Sequence, residues 1–221
     1  MQRADYRARI VGLLLLALAL SSSLVAPVGG AERELARVAL SELEVKGRAP
    51  KTGYSRAAFG PSWFDQDKNG CDTRNDILKR DLRSIVFRTG SSCVVLSGIL
   101  IDPYSNERIE FTRGAVSSLD VQIDHVVSLS NAWQTGAFRW SLETRVAFAN
   151  DPLNLLAVKG ALNTQKSDGD AATWLPPKKS YRCDFVSRQI AVKRNYSLWV
   201  TAPEKSAMER ILRSCPSKKL P

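Results

Sequence analysis

Two short apolar runs, about thirty residues apart, constrain this chain more than any other feature. The first, Val121-Gln122-Ile123-Asp124-His125-Val126-Val127-Ser128-Leu129, carries the only histidine among 221 residues, directly after an aspartate. The second, Leu153-Asn154-Leu155-Leu156-Ala157-Val158, leads into residues 159–167, where Asn163 and Lys166 stand three apart. Runs rich in β-branched and apolar residues read as strands, and the stretch behind the second run reads as a helix. Neighbouring residues on a strand face opposite ways, so Asp124 and His125 serve different sides. Asn163 and Lys166 share one helix face. Strand, returning strand and helix together gather Asp124, His125, Asn154, Asn163 and Lys166.

The N-terminus reads as an export signal. Arg3, Arg7 and Arg9 precede an apolar run over residues 10–20, followed by small residues up to Ala31. That order of basic head, short apolar run and small residues is that of a secretory signal peptide, and the run is too short to span a bilayer comfortably. The expected organisation is a signal peptide over 1–31 and one domain over 32–221, secreted, with no stable membrane association once the signal is cut. Loss of three arginines and one aspartate lowers the formal charge from +10 to +8. A chain this basic points to a polyanionic partner, nucleic acid first.

Four cysteines lie in the expected mature part: Cys71, Cys93, Cys183 and Cys215. An even count in an exported chain predicts two disulfides. Sequence order favours Cys71–Cys93 and Cys183–Cys215, although four cysteines allow three connectivities. No Cys-x-x-Cys pair is present, which with one histidine argues against a zinc finger.

Along the chain, residues 32–46 read as a short helix. An irregular aromatic and basic segment over 54–64 follows. Residues 73–87 read as one helix, capped by Thr73 and with Ile77, Leu78, Leu82 and Ile85 on its apolar face. Residues 94–101 and 108–112 read as a β-hairpin about the turn at 102–106. Helices are expected behind Ser141, over 185–196 and from Pro203. The run Asp65-Gln66-Asp67-Lys68-Asn69-Gly70, with Asp76, nearly fits a calcium loop, which would place Ca²⁺ at Asp65, Asp67 and Asn69. Against that, its twelfth position is Asp rather than Glu, and Asp72 replaces an apolar residue. An Asp/Asn/Gly-rich turn accounts for the same residues.

Phosphodiester hydrolysis needs a base for water and positive charge for the phosphoryl oxygens and the leaving group. Neutral imidazole suits the first task, because its reference pKa of about 6.5 lies near neutrality. The oxygens of Asp124 and Asn163 are hard donors that suit Mg²⁺ or Mn²⁺. Lys166 offers charge to a phosphate, and Asn154 a hold on His125 or its loop. Arg74 either contacts phosphate or pairs with a nearby aspartate.

This constellation resembles the ββα-metal core of HNH endonucleases, in particular a secreted branch related to the C-terminal nuclease domain of GmrS–GmrD restriction systems. The resemblance extends to Cys71-Asp72-Thr73-Arg74-Asn75-Asp76, to residues 98–104, to Ala132-Trp133 and to residues 148–155. It continues through residues 163–176 to Cys183, some two-thirds of the mature chain. It implies an α+β fold: a ββα-metal (His-Me finger) core with an added β-hairpin and surrounding helices. It also implies Asp124 as a metal ligand, His125 as general base, Asn163 as second metal ligand and Asn154 in support. Many members carry histidine where this chain has Asn163, while RNA-guided HNH nucleases carry asparagine there.

The expected function is a secreted, monomeric, metal-dependent endonuclease of little sequence specificity, acting on DNA with RNA as a second substrate. The alternative is a non-catalytic basic module that binds nucleic acid or another polyanion. A serine hydrolase is disfavoured, because the sequence has no Gly-x-Ser-x-Gly.

Overall fold

The protein is described here by a computed structural model covering residues 34–221. The expected signal peptide, 1–31, lies outside the described residues. Among them are seven α-helices and five strands, a mixed α+β chain.

Helix α1 (Ala36–Glu42) packs on α6 (Arg182–Asn195) and α7 (Ala202–Leu212). Its buried Ala36, Ala39 and Leu40 join Phe185, Val186, Ile190, Ala207 and Met208 in one apolar cluster. Helix α7 starts where side chains satisfy its free N–H groups. Thr201 accepts from the Glu204 amide, and the Glu204 carboxylate accepts from the Thr201 amide, a capping box with Pro203 in the first turn. Cys183–Cys215 ties α6 to the segment after α7, and Cys71–Cys93 joins two further segments 22 residues apart.

The helix expected over 73–87 is two elements. Helix α2 is Thr73–Asp81 and strand β1 is Arg83–Phe87. Its N-cap is Asp72, whose carboxylate accepts from the Asn75 amide, rather than Thr73. Leu82 is extended, and β1 then pairs antiparallel with β2 (Val95–Ile101). Tertiary pairing of the β-branched stretch Ile85-Val86 overrides a helical spacing of apolar residues that runs across the break. Strands β2 and β3 (Arg108–Thr112) form the expected hairpin, so the added sheet has three strands in the order β1-β2-β3.

The second sheet has two antiparallel strands, β4 (Val121–His125) and β5 (Leu155–Lys159), with His125 opposite Leu155 and Asp124 opposite Leu156. Between them run α3 (Leu129–Gln134) and α4 (Leu142–Ala149). Ser128 caps α3, and Ser141 caps α4 as the sequence predicts. Both strands are buried on both faces. Val121, Ile123, Leu155 and Ala157 join Ile77, Leu78 and Phe111 on one side. Leu156 and Val158 join the α1/α6/α7 cluster on the other.

Helix α5 (Gly160–Lys166) follows β5 directly. Its first residue must be glycine. A Cβ at Gly160 would lie 1.9 Å from the Leu119 carbonyl oxygen, while its N–H donates to the Asp120 carbonyl at 2.9 Å. This close approach lays α5 along the Gln122/Asp124 face of β4.

Candidate functional site

Strand alternation puts His125 on the Val121/Ile123 face and Asp124 on the Gln122 face. The two neighbours therefore enter different surroundings. His125 is buried and lines a pocket of about 310 Å³ with Arg56, Phe59, Trp63, Leu129 and Asn150. Its Nε2 lies 2.8 Å from the carbonyl oxygen of Ala149, at the C-terminus of α4. A carbonyl can only accept, so Nε2 carries the hydrogen and the neutral ring keeps its lone pair on Nδ1. Burial drives the His125 pKa from 6.5 down to about 4, helped by the charges of Arg56 and Lys166 and opposed by the bond to Ala149. The imidazole is therefore neutral at pH 7 with its lone pair on Nδ1, and burial makes it a weaker base than a free imidazole.

Asp124 is sealed away from that pocket. Its Oδ1 accepts from Lys166 Nζ at 2.9 Å and its Oδ2 from the Tyr104 hydroxyl at 2.5 Å. Lys166 Nζ also donates to the His125 carbonyl at 2.9 Å. All three side chains are buried, Asp124 at 3%, Lys166 at 1% and Tyr104 at 0% exposure. Desolvation pushes the Asp124 carboxyl up, and the Lys166 charge and the two hydrogen bonds pull it back. Tyr104 comes from the hairpin turn and sits edge-on to Trp174 and Phe185, which fixes its hydroxyl over the carboxylate. Asp102 in the same turn holds the end of β5, accepting from the Lys159 amide at 2.9 Å.

Lys166, expected at a phosphate, is thus an internal ion-pair partner. A lysine on the inner face of α5, whose length matches the depth of the carboxylate, finds Asp124 before it finds solvent.

Asn163 lies one turn earlier. It donates from Nδ2 to Gln122 Oε1 at 2.9 Å and lines an open polar pocket of about 500 Å³ with Lys51, Arg56, Ser128, Ser130 and Asp168. Asp168 is paired with Lys51 at 2.6 Å, which together with Ser130 lowers its carboxyl pKa. Asn154 is fully buried. Its Oδ1 accepts from the Val127 amide at 2.8 Å and its Nδ2 donates to the Val127 carbonyl at 3.2 Å, so it clamps the backbone two residues past His125.

Arg74 is half-buried, with Asp72 among the charges near it. Its guanidinium sits 5.9 Å over the Trp63 ring and donates to the Val121 carbonyl at 3.3 Å. Desolvation, then the charge of Arg113, lowers its pKa.

A divalent cation needs several oxygens turned to one point. Among the described residues, no group of three or more His, Cys, Asp and Glu side chains is placed to hold a metal ion. Asn163 stands at an open pocket, but Asp124 is buried and its two oxygens already accept from the Lys166 ammonium and the Tyr104 hydroxyl. As folded, the Asp124–Asn163 pair does not fit a metal ion. In the loop considered for calcium, the Asn69 amide donates to Asp65 and Asp67 at 3.1 and 3.3 Å, and the Gly70 amide to Asp65 at 3.0 Å. Those are the bonds of an Asp/Asn turn.

Two residues that the sequence did not single out line the pocket at His125. Arg56 lines both pockets and so joins the His125 side to the Asn163 side. Trp63 walls the first pocket. Their only signal in the sequence is the aromatic and basic character of residues 54–64.

The family model for "GmrSD restriction endonucleases, C-terminal domain" matches residues 72–211. The chain is also 41% identical, over 178 residues, to an uncharacterized secreted protein of Arthroderma benhamiae; the match covers 80% of this chain and 82% of the relative. No solved structure matches it. The matched span contains β4, β5, α5 and every side chain around His125 and Asp124 except those of the 54–64 segment. The chain belongs to the family of GmrSD restriction endonuclease C-terminal domains.

Proposed function

We propose that the chain is an exported endonuclease that hydrolyses phosphodiester bonds in DNA, with RNA as a second substrate and little sequence preference. The observation that carries this reading is the state of His125. It is neutral, its Nε2–H is fixed on Ala149, and Nδ1 is left to act as a base beside a pocket rimmed by Arg56. In the proposed step Nδ1 takes a proton from water and the water oxygen bonds to phosphorus. The bond from phosphorus to the 3′ oxygen breaks, and that oxygen leaves with a proton from solvent. Membership of a restriction-endonuclease domain family supports nucleic acid as the substrate. Two disulfides and the secreted description of the fungal relative support export.

The HNH resemblance brings with it Mg²⁺ or Mn²⁺ at Asp124 and Asn163. For Asp124 to serve, the Lys166 ammonium has to leave Oδ1, and no step above depends on that change. The test is degradation of a plasmid by the purified mature chain, with EDTA and then with Mg²⁺, Mn²⁺ or Zn²⁺ restored. Wild type should degrade the plasmid and His125→Ala should not. Activity that survives EDTA unchanged counts against the metal. No degradation under any condition, with plasmid still bound, favours the basic binding module.

A further inference from the structure

We infer that the pocket beside His125 is a subsite for one unpaired nucleobase, which directs the enzyme to single-stranded or locally opened nucleic acid; this rests on the nuclease reading above. The pocket's volume, about 310 Å³, is at the lower end of the range for small-molecule sites and suits one base with part of its sugar. Apolar Phe59, Pro61, Trp63, Leu129 and Ala149 share its walls with polar Arg56, Ser62, His125 and Asn150. Such a lining can take a flat heterocycle on its apolar side chains and fix its orientation through the polar ones. Asn150 in the same wall donates from Nδ2 to Val146, which fixes its side chain, while its Oδ1 is buried.

The aromatic wall is held in place against a conformational cost. Trp63 has φ +59°, the left-handed region that a bulky residue rarely adopts. Such strain persists only where the surroundings over-determine it, and it clusters at ligand sites. Here the surroundings are specific. Arg74 stacks on the ring, the Thr73 hydroxyl holds the adjoining Phe64 carbonyl, and the turn at 65–70 leads straight into Cys71 and its disulfide to Cys93. On the opposite side Gly60, at φ +82°, lies so close to α4 that a Cβ would meet Val146 Cγ2 at 2.4 Å. Both ends of the 60–63 loop are thereby pinned.

Charge completes the site. Arg56 stands between this pocket and the polar pocket at Asn163, and it forms no ion pair among the described residues. With a base against Trp63, the attached phosphate falls to Arg56, and the strand continues past Ser128 and Asn163. A base inside a duplex is stacked on both faces and paired at its edge, so it enters such a pocket only when unpaired or flipped out.

The test measures binding separately from cleavage. The His125→Ala chain is titrated by fluorescence anisotropy with a labelled oligothymidylate, and with an abasic strand of the same length and charge, at one salt concentration. Base–aromatic stacking predicts about tenfold tighter binding of the oligothymidylate. Adding Trp63→Ala should bring the two affinities together by weakening only the oligothymidylate, and Trp63→Phe should restore most of the difference. Arg56→Gln should weaken both strands alike. Equal affinity for the two strands, or a Trp63→Ala loss shared by both, overturns the subsite. So does wild-type cleavage of perfect duplex as fast as single strand. A base-dependent affinity in a wild-type chain that cleaves neither plasmid nor single-stranded DNA keeps the subsite and removes the nuclease reading; cleavage of either without base dependence does the reverse.

Discussion

Lys166 reaches Asp124 at 2.9 Å where neither side chain meets solvent, so α5 is fastened to β4 by an ion pair inside the protein. Removing one member of such a pair strands the other charge, at a cost of about 3–5 kcal/mol, whereas replacing both is much milder. Lys166→Met should lower stability by that amount in urea unfolding. Asp124→Asn combined with Lys166→Met should recover a large part of it. A lysine that contacts phosphate would instead change the salt dependence of binding by about one unit of slope on substitution. We expect the slope of the His125→Ala chain for single-stranded DNA to be unchanged by Lys166→Met.

His125 gives a pH dependence whose sign is fixed by its burial. Its pKa is about 4 in the folded chain and about 6.5 when unfolded, so between those values the unfolded state binds more protons. The contribution to stability is complete above pH 6.5, falls as pH drops below it and is gone below pH 4. From pH 7.5 to 5 the group should account for a loss of about 2 kcal/mol. Urea unfolding of wild type and of His125→Gln, which does not titrate, should show wild type losing more by that amount. Equal losses would mean the ring is hydrated in the folded protein.

The paired strands, α5 and both disulfides were legible in the sequence because each depends on local pattern or on few choices. Val121–His125 and Leu155–Lys159 alternate and cluster as strands do, Ser141 caps where it should, and four cysteines leave three pairings. The break at Leu82 was not legible, because Ile77, Leu78, Leu82 and Ile85 keep a helical spacing across it and the partner strand decides. Site residues were legible as types but not as surroundings. Asp124 reads as an available carboxylate until Tyr104 arrives from the hairpin turn and Lys166 from α5, and neither approach is visible as spacing. Arg56 and Trp63 escaped notice because residues 54–64 have no period, and an irregular loop is placed only by what it packs against.

Gly160 sets the seat of α5. A methyl group there meets the Leu119 carbonyl at 1.9 Å, so Gly160→Ala must lift the helix or push residues 119–120 aside. Alanine is the better helix former, and on an isolated helix the change would stabilise. Here we expect a loss of about 1–3 kcal/mol from overpacking. Activity should fall as well, because Asn163 and Lys166 ride on the displaced helix. A Gly160→Ala chain of unchanged melting temperature would show that α5 does not lie this close to the segment before β4.

Asn154 is fully buried, so we expect it to affect a substrate only through the backbone it holds. Its carboxamide meets both the N–H and the C=O of Val127, and its own carbonyl takes the Val126 amide at 2.8 Å. The backbone leaving His125 is therefore held by one buried residue, at Val126 through its backbone and at Val127 through its side chain. Asn154→Ala leaves the Val127 groups without those partners, at about 1–3 kcal/mol for an unsatisfied buried group. The looser exit lets the imidazole drift relative to a bound phosphate, and misplacement by about 1 Å can lower a rate about a hundredfold. Arg56 and the polar pocket are untouched, so binding should hold. We expect kcat on a single-stranded substrate to fall sharply with KM within about twofold, a split that general destabilisation does not produce when the assay is run well below the melting temperature. An equal rise in KM would place Asn154 in substrate binding instead, and unchanged kinetics would free His125 from any dependence on the clamp.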